Sequence, residues 1–544
     1  DKVVNNINSN ITGAVSNINT NINGISSNNK ANNEAILNKV NEKKDGFLPE
    51  AEPLLQMHFD SIINKFNPPA PNSHVAGENG FVFDFPLPLG TFGVSAIAKK
   101  GDDVIDVSSG VNPLTGNPVT SKAIQPLAST TKLIVHTLLM MLWEKSVINM
   151  DEPISKYIPE AQGVTYKVIR EVYKTDDEYP TTYTENEKDY PVEVHTDPVS
   201  ELSYAVALVD AVAEPTVRNV MSHSSGIIYN FIIGFMVPGQ KGWGMQTHYN
   251  KLTNEKKVEI QDTVDATTVA GAYTHYYQAG VLVSQPGAIL AYGMDSDIVG
   301  RLCEIGYNKL NGVEKRLQDI SNEMLFVPLG MTSTFWYLTE GEERYNRIAE
   351  NMAPLCLTDS TEEKGWKIRP GFETTESIMS NVTGVRAESG GGGSLSCVSD
   401  YDKIVDMLRL GGRKNNRRYL KASTIRYMMF THQSGKSNRG PETKFTSDAN
   451  GGIAFALGAP KPQGYLDMHD PTNEFREPEL DIGITSTREL IPMDSFGWQG
   501  AYGTYWNVSS EDNFCYNVAS FNNDFQGLYY ALELPIDLLL TNSL

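Results

Sequence analysis

Positive charge is scarce in this chain of 544 residues. Lys and Arg number 45 against 66 Asp and Glu, which gives a formal net charge of −21. Nucleic-acid backbones and anionic lipids attract Lys and Arg, so this balance argues against a protein that binds nucleic acid or an anionic membrane. No apolar run reaches the roughly 18 residues of a membrane-spanning helix. The longest candidates are residues 133–143 and 227–237.

Cysteine is scarce as well. The four cysteines are too scattered for a disulfide scaffold, and their three possible pairings stay open; they are Cys303, Cys356, Cys397 and Cys515. Without a CxxC pair a structural zinc site is not expected, and no histidines show metal-ligand spacing. Asp and Glu are abundant, but no pair stands out as a glycosidase dyad. We therefore expect neither a metal nor another cofactor.

The composition is that of a globular protein, with 40% hydrophobic residues. The length suggests several domains or one large domain with insertions. The chain begins at Asp1 rather than Met, and glycosylation acceptor triplets begin at Asn10, Asn381 and Asn507. Together these features favour a processed, secreted glycoprotein, although an Asn-rich chain also produces such triplets by chance.

Residues 1–45 differ from the rest of the chain. They are rich in Asn and Ser, and apolar residues recur at steps of three or four from Val4 to Val40. This stripe resembles a heptad pattern, but Asn is a poor helix former and the helix would be unstable alone. We predict an arm that joins copies of the chain into a homo-oligomer. A disordered tail and a strap packed on the surface are the alternatives.

From Gly46 onward, hydrophobic periodicity predicts a helix at 49–66, a strand hairpin at 92–99 and 103–109, and a strong helix at 129–145. Helical patterns follow at 290–350 and 400–410. Strand patterns return at 452–457, 480–486, 504–508 and 513–520, before a final helix at 525–540. We expect one sheet built from the two ends of the chain, 46–132 and 395–544, and a mainly helical subdomain at 133–394. Residues 165–213 are expected to be an acidic, solvated insertion.

Ser129 and Lys132 stand at the start of the strong helix. In the simplest interpretation Ser129 caps the helix by accepting a backbone N–H. In the alternative, the spacing of three places the hydroxyl and the amine on one helical face. The helix dipole and partial dehydration would then favour the neutral amine, which is a base. The helix N-terminus would also offer N–H groups to a developing oxyanion.

Seven segments resemble, in the correct order, the serine β-lactamase-like family of class C β-lactamases, D-alanyl-D-alanine peptidases, esterases and transesterases. They are the Ser-x-x-Lys helix at 125–145, NMDEPISKYIPE at 149–160, VRNVMSHSSGI at 217–227, QPGAILAYGMDSDIVGRLC at 285–303, FVPLGMTST at 326–334, the Gly-rich turn and Ser396-x-x-x-Asp400 helix at 389–410, and FGWQGAYGTYW at 496–506. The resemblance covers about residue 50 to the end. It implies an α/β fold in which helices flank an antiparallel sheet.

The resemblance also implies roles for single residues. Ser129 would be the acylated nucleophile, and Lys132 and Tyr292 would share the work of the general base. The backbone N–H groups of Ser129 and Ala501 would form the oxyanion hole, with Ala501 on the strand that carries the last motif. The substrate pocket would include Met294, Trp498 and Gly500. His223 would belong to a structural loop, and residues 390–394 would form a tight turn rather than a phosphate-binding loop.

Two residues depart from the family pattern. Met294 stands where the family has Asn, which normally offers an amide to the substrate. Trp498 stands where β-lactamases and D-peptidases carry Lys or another cationic group, which normally meets the substrate carboxylate. These changes leave an apolar, uncharged pocket that favours neutral acyl donors.

The sequence therefore predicts a serine hydrolase or acyltransferase that acts on small esters or other neutral acyl compounds through an acyl-Ser129 intermediate. It would need no cofactor and no nucleic-acid partner. A D-amino-acid peptidase or amidase is the alternative within the same chemistry. A non-catalytic assembly protein that keeps the fold is the alternative outside it.

Overall fold

The computed structural model describes residues between 46 and 522, in the stretches 46–47, 49, 51–64, 75–76, 82–83, 90–230, 238–239, 241–288, 291–359, 361–362, 364–429, 496–509 and 513–522. The predictions for the arm at 1–45, for the strands at 452–457 and 480–486, and for the helix at 525–540 lie outside the described residues.

Strands and α-helices are numbered separately, each in chain order. The strands are β1 (Val75–Ala76), β2 (Val82–Phe83), β3 (Gly93–Lys100), β4 (Asp103–Gly110), β5 (Ile124–Pro126), β6 (Lys167–Val172), β7 (Thr182–Glu185), β8 (Lys188–Thr196), β9 (Ser203–Asp210), β10 (Val281–Leu282), β11 (Cys356–Thr358), β12 (Trp366–Ile368), β13 (Leu395–Cys397), β14 (Arg413–Lys414), β15 (Arg417–Arg418), β16 (Phe496–Gly500), β17 (Thr504–Ser509) and β18 (Phe514–Ala519). The α-helices are α1 (Ala51–Asn64), α2 (Thr131–Trp143), α3 (Val217–Met221), α4 (Trp243–Ile260), α5 (Val269–Gln278), α6 (Asp295–Asn311), α7 (Leu317–Ser321), α8 (Val327–Leu329), α9 (Tyr345–Asn351), α10 (Thr375–Val382), α11 (Val398–Arg409) and α12 (Ala422–Met429).

The two ends of the chain build one antiparallel sheet, as the sequence predicts. Its strand order is β16–β17–β18–β3–β4, so the hairpin near the N-terminus continues a hairpin from near the C-terminus. Gly101 turns β3 into β4 at a φ of +58°, a conformation that favours glycine. A short antiparallel pair, β5 with β13, joins the same two parts of the chain again just before Ser129.

Helices cover both faces of this sheet. Leu55 and Phe59 of α1 pack in one cluster with Val94 of β3. Ile97 points to the other face, because neighbouring strand residues alternate, and it packs in a cluster with Val398 of α11. The sheet therefore forms the middle layer between α1 and α11.

The main hydrophobic core surrounds α2. Residues 131–142 of this helix are all buried. This helix is therefore buried on every side, and it packs against α6. The predicted helix at 129–145 is therefore confirmed, although the α-helix itself starts at Thr131, after a 3₁₀ turn at Ala128–Thr130.

The region 133–394 holds more strand structure than we predicted. Residues 165–213 contain β6 to β9, which join β10 in a five-stranded sheet of order β10–β6–β9–β8–β7. The outer strands β7 and β8 are largely exposed, as expected of an insertion, but β9 is mostly buried and packs against α4. The acidic, Tyr- and Thr-rich residues lie mainly in and around the two outer strands. For this reason the composition indicated a solvated surface for the whole segment, although β9 is mostly buried.

The four cysteines are all free and buried. Burial raises the pKa of the thiols of Cys303 and Cys515 well above its usual range, which keeps them protonated. None of the helices in the described part of the chain has the length and apolarity needed to cross a membrane.

A buried charge cluster ties α11 to the main sheet. Asp406 of α11 accepts hydrogen bonds from Lys99 of β3 at 3.1 Å, from Arg409 at 2.7 Å and from Lys414. Burial acts to raise the pKa of Asp406, but the hydrogen bond and charge of Lys414 and the charges of Lys99 and Arg409 together lower it. The ionised carboxylate therefore stabilises the folded state.

We predict that Asp406→Asn lowers the free energy of unfolding at pH 7 by about 3 kcal/mol, because it removes the carboxylate that Lys99, Arg409 and Lys414 share in a buried cluster. A lowered pKa gives stability that is present above the ordinary carboxyl pKa and is lost as pH falls through the folded value. Urea denaturation should therefore show the difference between wild type and variant shrinking below about pH 4.

Asp262→Asn is the matched control, because Asp262 is exposed in the turn after α4, where solvent screens its charge. It should change little at either pH. An equal effect of both substitutions, or a difference that does not depend on pH, would contradict the stabilising role of Asp406.

Candidate active site

The turn that carries Ser129 is held from three directions. The Leu127 N–H donates to the Ser394 carbonyl at 2.8 Å, beside β13, and the Leu127 carbonyl accepts from the Thr504 hydroxyl of β17 at 2.7 Å. The Tyr401 hydroxyl of α11 donates to the Thr130 carbonyl at 2.7 Å. Hydrogen bonds to distant segments of the chain thus fix the backbone around Ser129 from three sides.

Ala128, directly before Ser129, has a φ of +50°. This left-handed conformation is unfavourable for a residue with a side chain and persists only where the surrounding structure enforces it. The hydrogen bonds on either side of Ala128 provide that constraint, so the orientation of Ser129 is set by tertiary contacts.

Ser129 does not cap α2. The N-cap residue is Thr130, and no side chain makes a capping hydrogen bond there. The Ser129 hydroxyl instead accepts from the Tyr292 hydroxyl at 2.6 Å and from Lys132 Nζ at 3.3 Å. Ser129 and Tyr292 are half-buried, whereas Lys132 is only 1% exposed. The three predicted residues therefore lie together, with Ser129 and Tyr292 partly exposed and Lys132 buried.

Lys132 Nζ has two further partners. It donates to the Tyr229 hydroxyl at 3.0 Å and to the Gly391 carbonyl at 2.7 Å. An ammonium group has three N–H donors, so the oxygens of Ser129, Tyr229 and Gly391 can satisfy all of them. This matters because a buried ammonium without partners would strongly destabilise the fold.

The Gly-rich turn at 390–393 supplies one of these partners. Asp297 of α6 accepts from the Ser389 hydroxyl at 2.6 Å and from the Gly391 N–H at 3.2 Å, which holds the turn against Lys132. A Cβ on Gly390 would lie 2.2 Å from the Ser296 carbonyl oxygen, so only glycine fits there. The turn therefore positions the lysine.

Aromatic rings surround Tyr292. Its ring centroid lies 5.2 Å from that of Trp498, 5.4 Å from that of Tyr229 and 4.9 Å from that of His223. Lys132 Nζ lies 4.6 Å from the Tyr292 ring centroid. The phenol is thus fixed by packing on several sides, with a cationic side chain at its face.

Beneath this layer, His223 and Asp295 are fully buried and their Nδ1 and Oδ2 atoms lie 3.2 Å apart. Burial lowers the pKa of the His223 imidazole, and the charge of Lys132 lowers it further. Burial also raises the pKa of the Asp295 carboxyl, which the Ser225 hydroxyl and Lys132 partly oppose. His223 contacts the ring of Tyr292, so it supports the site as part of a structural loop, in line with the expectation from the sequence.

The end of β16 passes close to the nucleophile. A Cβ on Gly500 would lie 2.4 Å from the Leu127 carbonyl oxygen and 3.3 Å from the Ser129 nitrogen. Ala501 follows as an exposed residue in the turn after β16, and not on the strand itself as we expected. Met294 also differs from expectation. It is 6% exposed and packs in the main core, so it offers little surface to a pocket.

Comparison with known proteins identifies the family. A sequence model of the family described as Beta-lactamase matches residues 89–520, which is most of the chain. The chain belongs to the Beta-lactamase family. A search of curated proteins finds no match.

Solved structures share the fold of this Beta-lactamase-family protein at low sequence identity. EstCE1, described as a hydrolase with promiscuous acyltransferase activity, is 16% identical over 83% of this chain and 94% of that one, with a TM-score of 0.54. Unliganded simvastatin synthase (LovD) from Aspergillus terreus is 14% identical over 91% of this chain and 100% of its own, with a TM-score of 0.56. These similarities confirm the mixed α/β fold with an antiparallel sheet.

Sequence reasoning missed two residues of this Beta-lactamase-family site. Tyr229 lies just after the His-Ser-Ser-Gly segment, and Asp297 lies five residues after Tyr292 in the second motif. Both positions are inside or beside segments that we recognised, but only the structure shows that Tyr229 contacts Lys132 and that Asp297 holds the Gly391 turn.

We predict that Gly293→Ala destabilises the protein by about 2 kcal/mol, the usual cost of overpacking. Its Cβ would lie 2.1 Å from the Ile227 carbonyl oxygen, so the loop that carries Tyr292 would have to move. Gly300→Ala is the control, because its Cβ would meet the movable tip of Leu317 at 3.1 Å and the backbone of Gly390 only at 3.9 Å. Urea denaturation of both variants tests the prediction, and equal stability of the two would contradict it.

Proposed function

We propose that this protein is a serine hydrolase or acyltransferase that acts on esters or other neutral acyl compounds through an acyl-Ser129 intermediate. One observation carries the proposal: the Ser129 hydroxyl lies 2.6 Å from the Tyr292 oxygen and 3.3 Å from Lys132 Nζ, and Ser129 is only partly buried. A nucleophile within hydrogen-bond distance of a base, which is oriented by a third group, is the general arrangement for acyl transfer.

In the proposed acylation step, the Ser129 oxygen attacks the carbonyl carbon of the donor and its proton passes to the Tyr292 phenolate. The tetrahedral intermediate then expels the alcohol, which takes the proton back from Tyr292. In the second step, water or an acceptor alcohol gives its proton to Tyr292 and attacks the carbonyl carbon of the acyl group. The bond between the acyl group and Ser129 then breaks, and the Ser129 oxygen takes the proton from Tyr292. Tyr292 starts and ends the cycle in the same protonation state.

Lys132 supports the charge changes at Tyr292. Its Nζ lies close to both the Tyr292 ring and the Ser129 oxygen, so its positive charge stabilises a phenolate there and a developing negative charge on Ser129. Tyr229 and the Gly391 carbonyl hold the amine in place. The Tyr292 oxygen lies nearer to the nucleophile than Lys132 does, so in this arrangement Tyr292 carries the proton. Lys132 shares the work of the base because its charge makes that proton transfer favourable.

The proposed oxyanion hole consists of the backbone N–H groups of Ser129 and Ala501. The close approach of Gly500 to the Ser129 nitrogen supports this assignment, because Ala501 is the next residue along the chain. Because Gly500 has no side chain, its backbone can pack against the segment of Leu127 and Ser129, which supports pairing the two N–H groups on one substrate carbonyl oxygen.

Trp498 supports a neutral substrate. It packs at the ring of Tyr292, where a cationic residue would otherwise meet a substrate carboxylate. Its indole Nε1 is buried and has no hydrogen-bond partner in the part of the chain that is described. This N–H can therefore donate one uncharged hydrogen bond to an oxygen of the substrate. EstCE1 carries the description of a hydrolase with acyltransferase activity, which agrees with leaving the acceptor open to water or an alcohol.

We predict that a fluorophosphonate labels the wild-type protein at Ser129 and that Ser129→Ala abolishes the labelling.

Tyr292→Phe and Lys132→Met should each slow acylation by a p-nitrophenyl ester by at least about a hundredfold, the usual scale of general-base loss. Stopped-flow release of p-nitrophenol measures this rate. His275→Gln, a buried histidine outside the site, is the control and should keep the wild-type rate.

Near-normal acylation in Tyr292→Phe would remove that residue from the mechanism. No labelling of the folded wild type would favour a non-catalytic protein. Turnover of a D-alanyl dipeptide in preference to the ester would favour the peptidase or amidase.

We further predict that Trp498→Lys raises hydrolysis of a carboxylate-bearing β-lactam by at least about tenfold, because the ammonium restores a charge-assisted hydrogen bond. Trp498→Met is the control, since it opens similar space without adding charge. Nitrocefin hydrolysis measures both variants. If wild type already hydrolyses nitrocefin as fast as the ester, the assignment to neutral substrates is wrong.

A further inference from the structure

A second group of reactive side chains lies on the five-stranded sheet. Glu193 and His195 are two residues apart on β8 and therefore point to the same face. His248 of α4 comes from the helix that packs on this sheet. One oxygen or nitrogen atom from each of the three side chains lies within 4.8 Å of the others. Sequence spacing gave no sign of this group, because α4 is distant from β8 along the chain.

His248 is the unusual member of the group. It is 1% exposed, and neither of its ring nitrogens has a hydrogen-bond partner among the described residues. An imidazole always has polar nitrogens to satisfy, and buried polar atoms are almost always paired. The His248 ring instead lies 4.7 Å from the ring of His195, centroid to centroid. A ligand between the two rings would satisfy it.

We propose that Glu193, His195 and His248 form a binding site for a divalent transition metal, with Zn²⁺ as the best fit. Two imidazoles and one carboxylate are a common protein ligand set for zinc, and water would take the fourth position. Glu193 Oε2 and His195 Nε2 lie 3.2 Å apart. That is close to the roughly 3.3 Å that separates ligands of a tetrahedral zinc with bonds of about 2.0 Å.

The exposure of the three side chains suits a metal that arrives from solvent. The side chain of Glu193 is 55% exposed and that of His195 is 21% exposed, so both can adjust toward the buried His248.

The proposed site is independent of the proposed acyl-transfer chemistry. It is built from β8 and α4, and neither element contributes a residue to the mechanism at Ser129. A metal there would cross-link the partly exposed strand β8 to α4. Its expected effect is therefore on the stability of the second sheet, through binding to the folded state.

The test uses the full chain after treatment with a chelator and dialysis. Isothermal titration with Zn²⁺ should show one site per chain, and saturation should raise Tm. Co²⁺ should give the visible absorption of a tetrahedral complex with nitrogen and oxygen ligands. Glu193→Gln and His195→Asn should each weaken Zn²⁺ binding by at least about tenfold, since even changes outside the ligand shell cost that much.

Two control variants separate this site from adventitious binding. Glu187→Gln changes an exposed acid in the turn between β7 and β8, and His275→Gln changes a histidine elsewhere. Both should bind Zn²⁺ like wild type. The proposal is overturned if the wild type binds no Zn²⁺, or if the controls lose as much affinity as the ligand variants. Because the ligand variants change partly exposed residues, circular dichroism should show that they fold normally.

Discussion

The burial of Lys132 is the constraint on which the rest of the site depends. An ammonium group in the core is tolerated only when its donors are satisfied, and here the oxygens of Ser129, Tyr229 and Gly391 satisfy them. Each of these oxygens comes from a different part of the chain. Satisfying one buried cation therefore brings together the start of α2, the segment after α3 and the Gly-rich turn, and it places the amine beside the nucleophile.

Close backbone packing makes this convergence possible. Glycines at 293, 390 and 500 let neighbouring segments approach to distances at which any side chain would clash. The left-handed backbone of Ala128 is held by hydrogen bonds from the sheet and α11. A strained residue and close backbone contacts therefore lie beside Ser129, Tyr292 and the Gly-rich turn, where a preorganised site requires a fixed geometry. Asp297 extends this support to the turn that holds Lys132.

Membership of the Beta-lactamase family does not fix the substrate, since one fold supports several acyl-transfer reactions. What distinguishes this chain is the chemistry next to Tyr292. Trp498 supplies an aromatic ring and a single N–H where a cation would bind a carboxylate, and Met294 is buried in the core where an amide would reach the substrate. In the proposed mechanism both changes would remove polar recognition of the substrate, while Ser129 stays within hydrogen-bond distance of Tyr292 and Lys132. The group proposed to bind a metal on the second sheet is separate from these residues.

The sequence by itself determined the hairpin β3–β4 and the helix behind Ser129, because periodicity is a local property of the residues. Strand patterns at both ends of the chain, with helical patterns between them, indicated the sheet made from the two ends. The sequence also identified Ser129, Lys132 and Tyr292, through ordered motifs. Only the tertiary structure decided that β6–β10 form a second sheet, that Tyr229 contacts Lys132 and that His248 meets His195. The physical reason is that each of these contacts joins segments far apart in the chain, and no local pattern encodes which distant side chain will satisfy a buried polar atom.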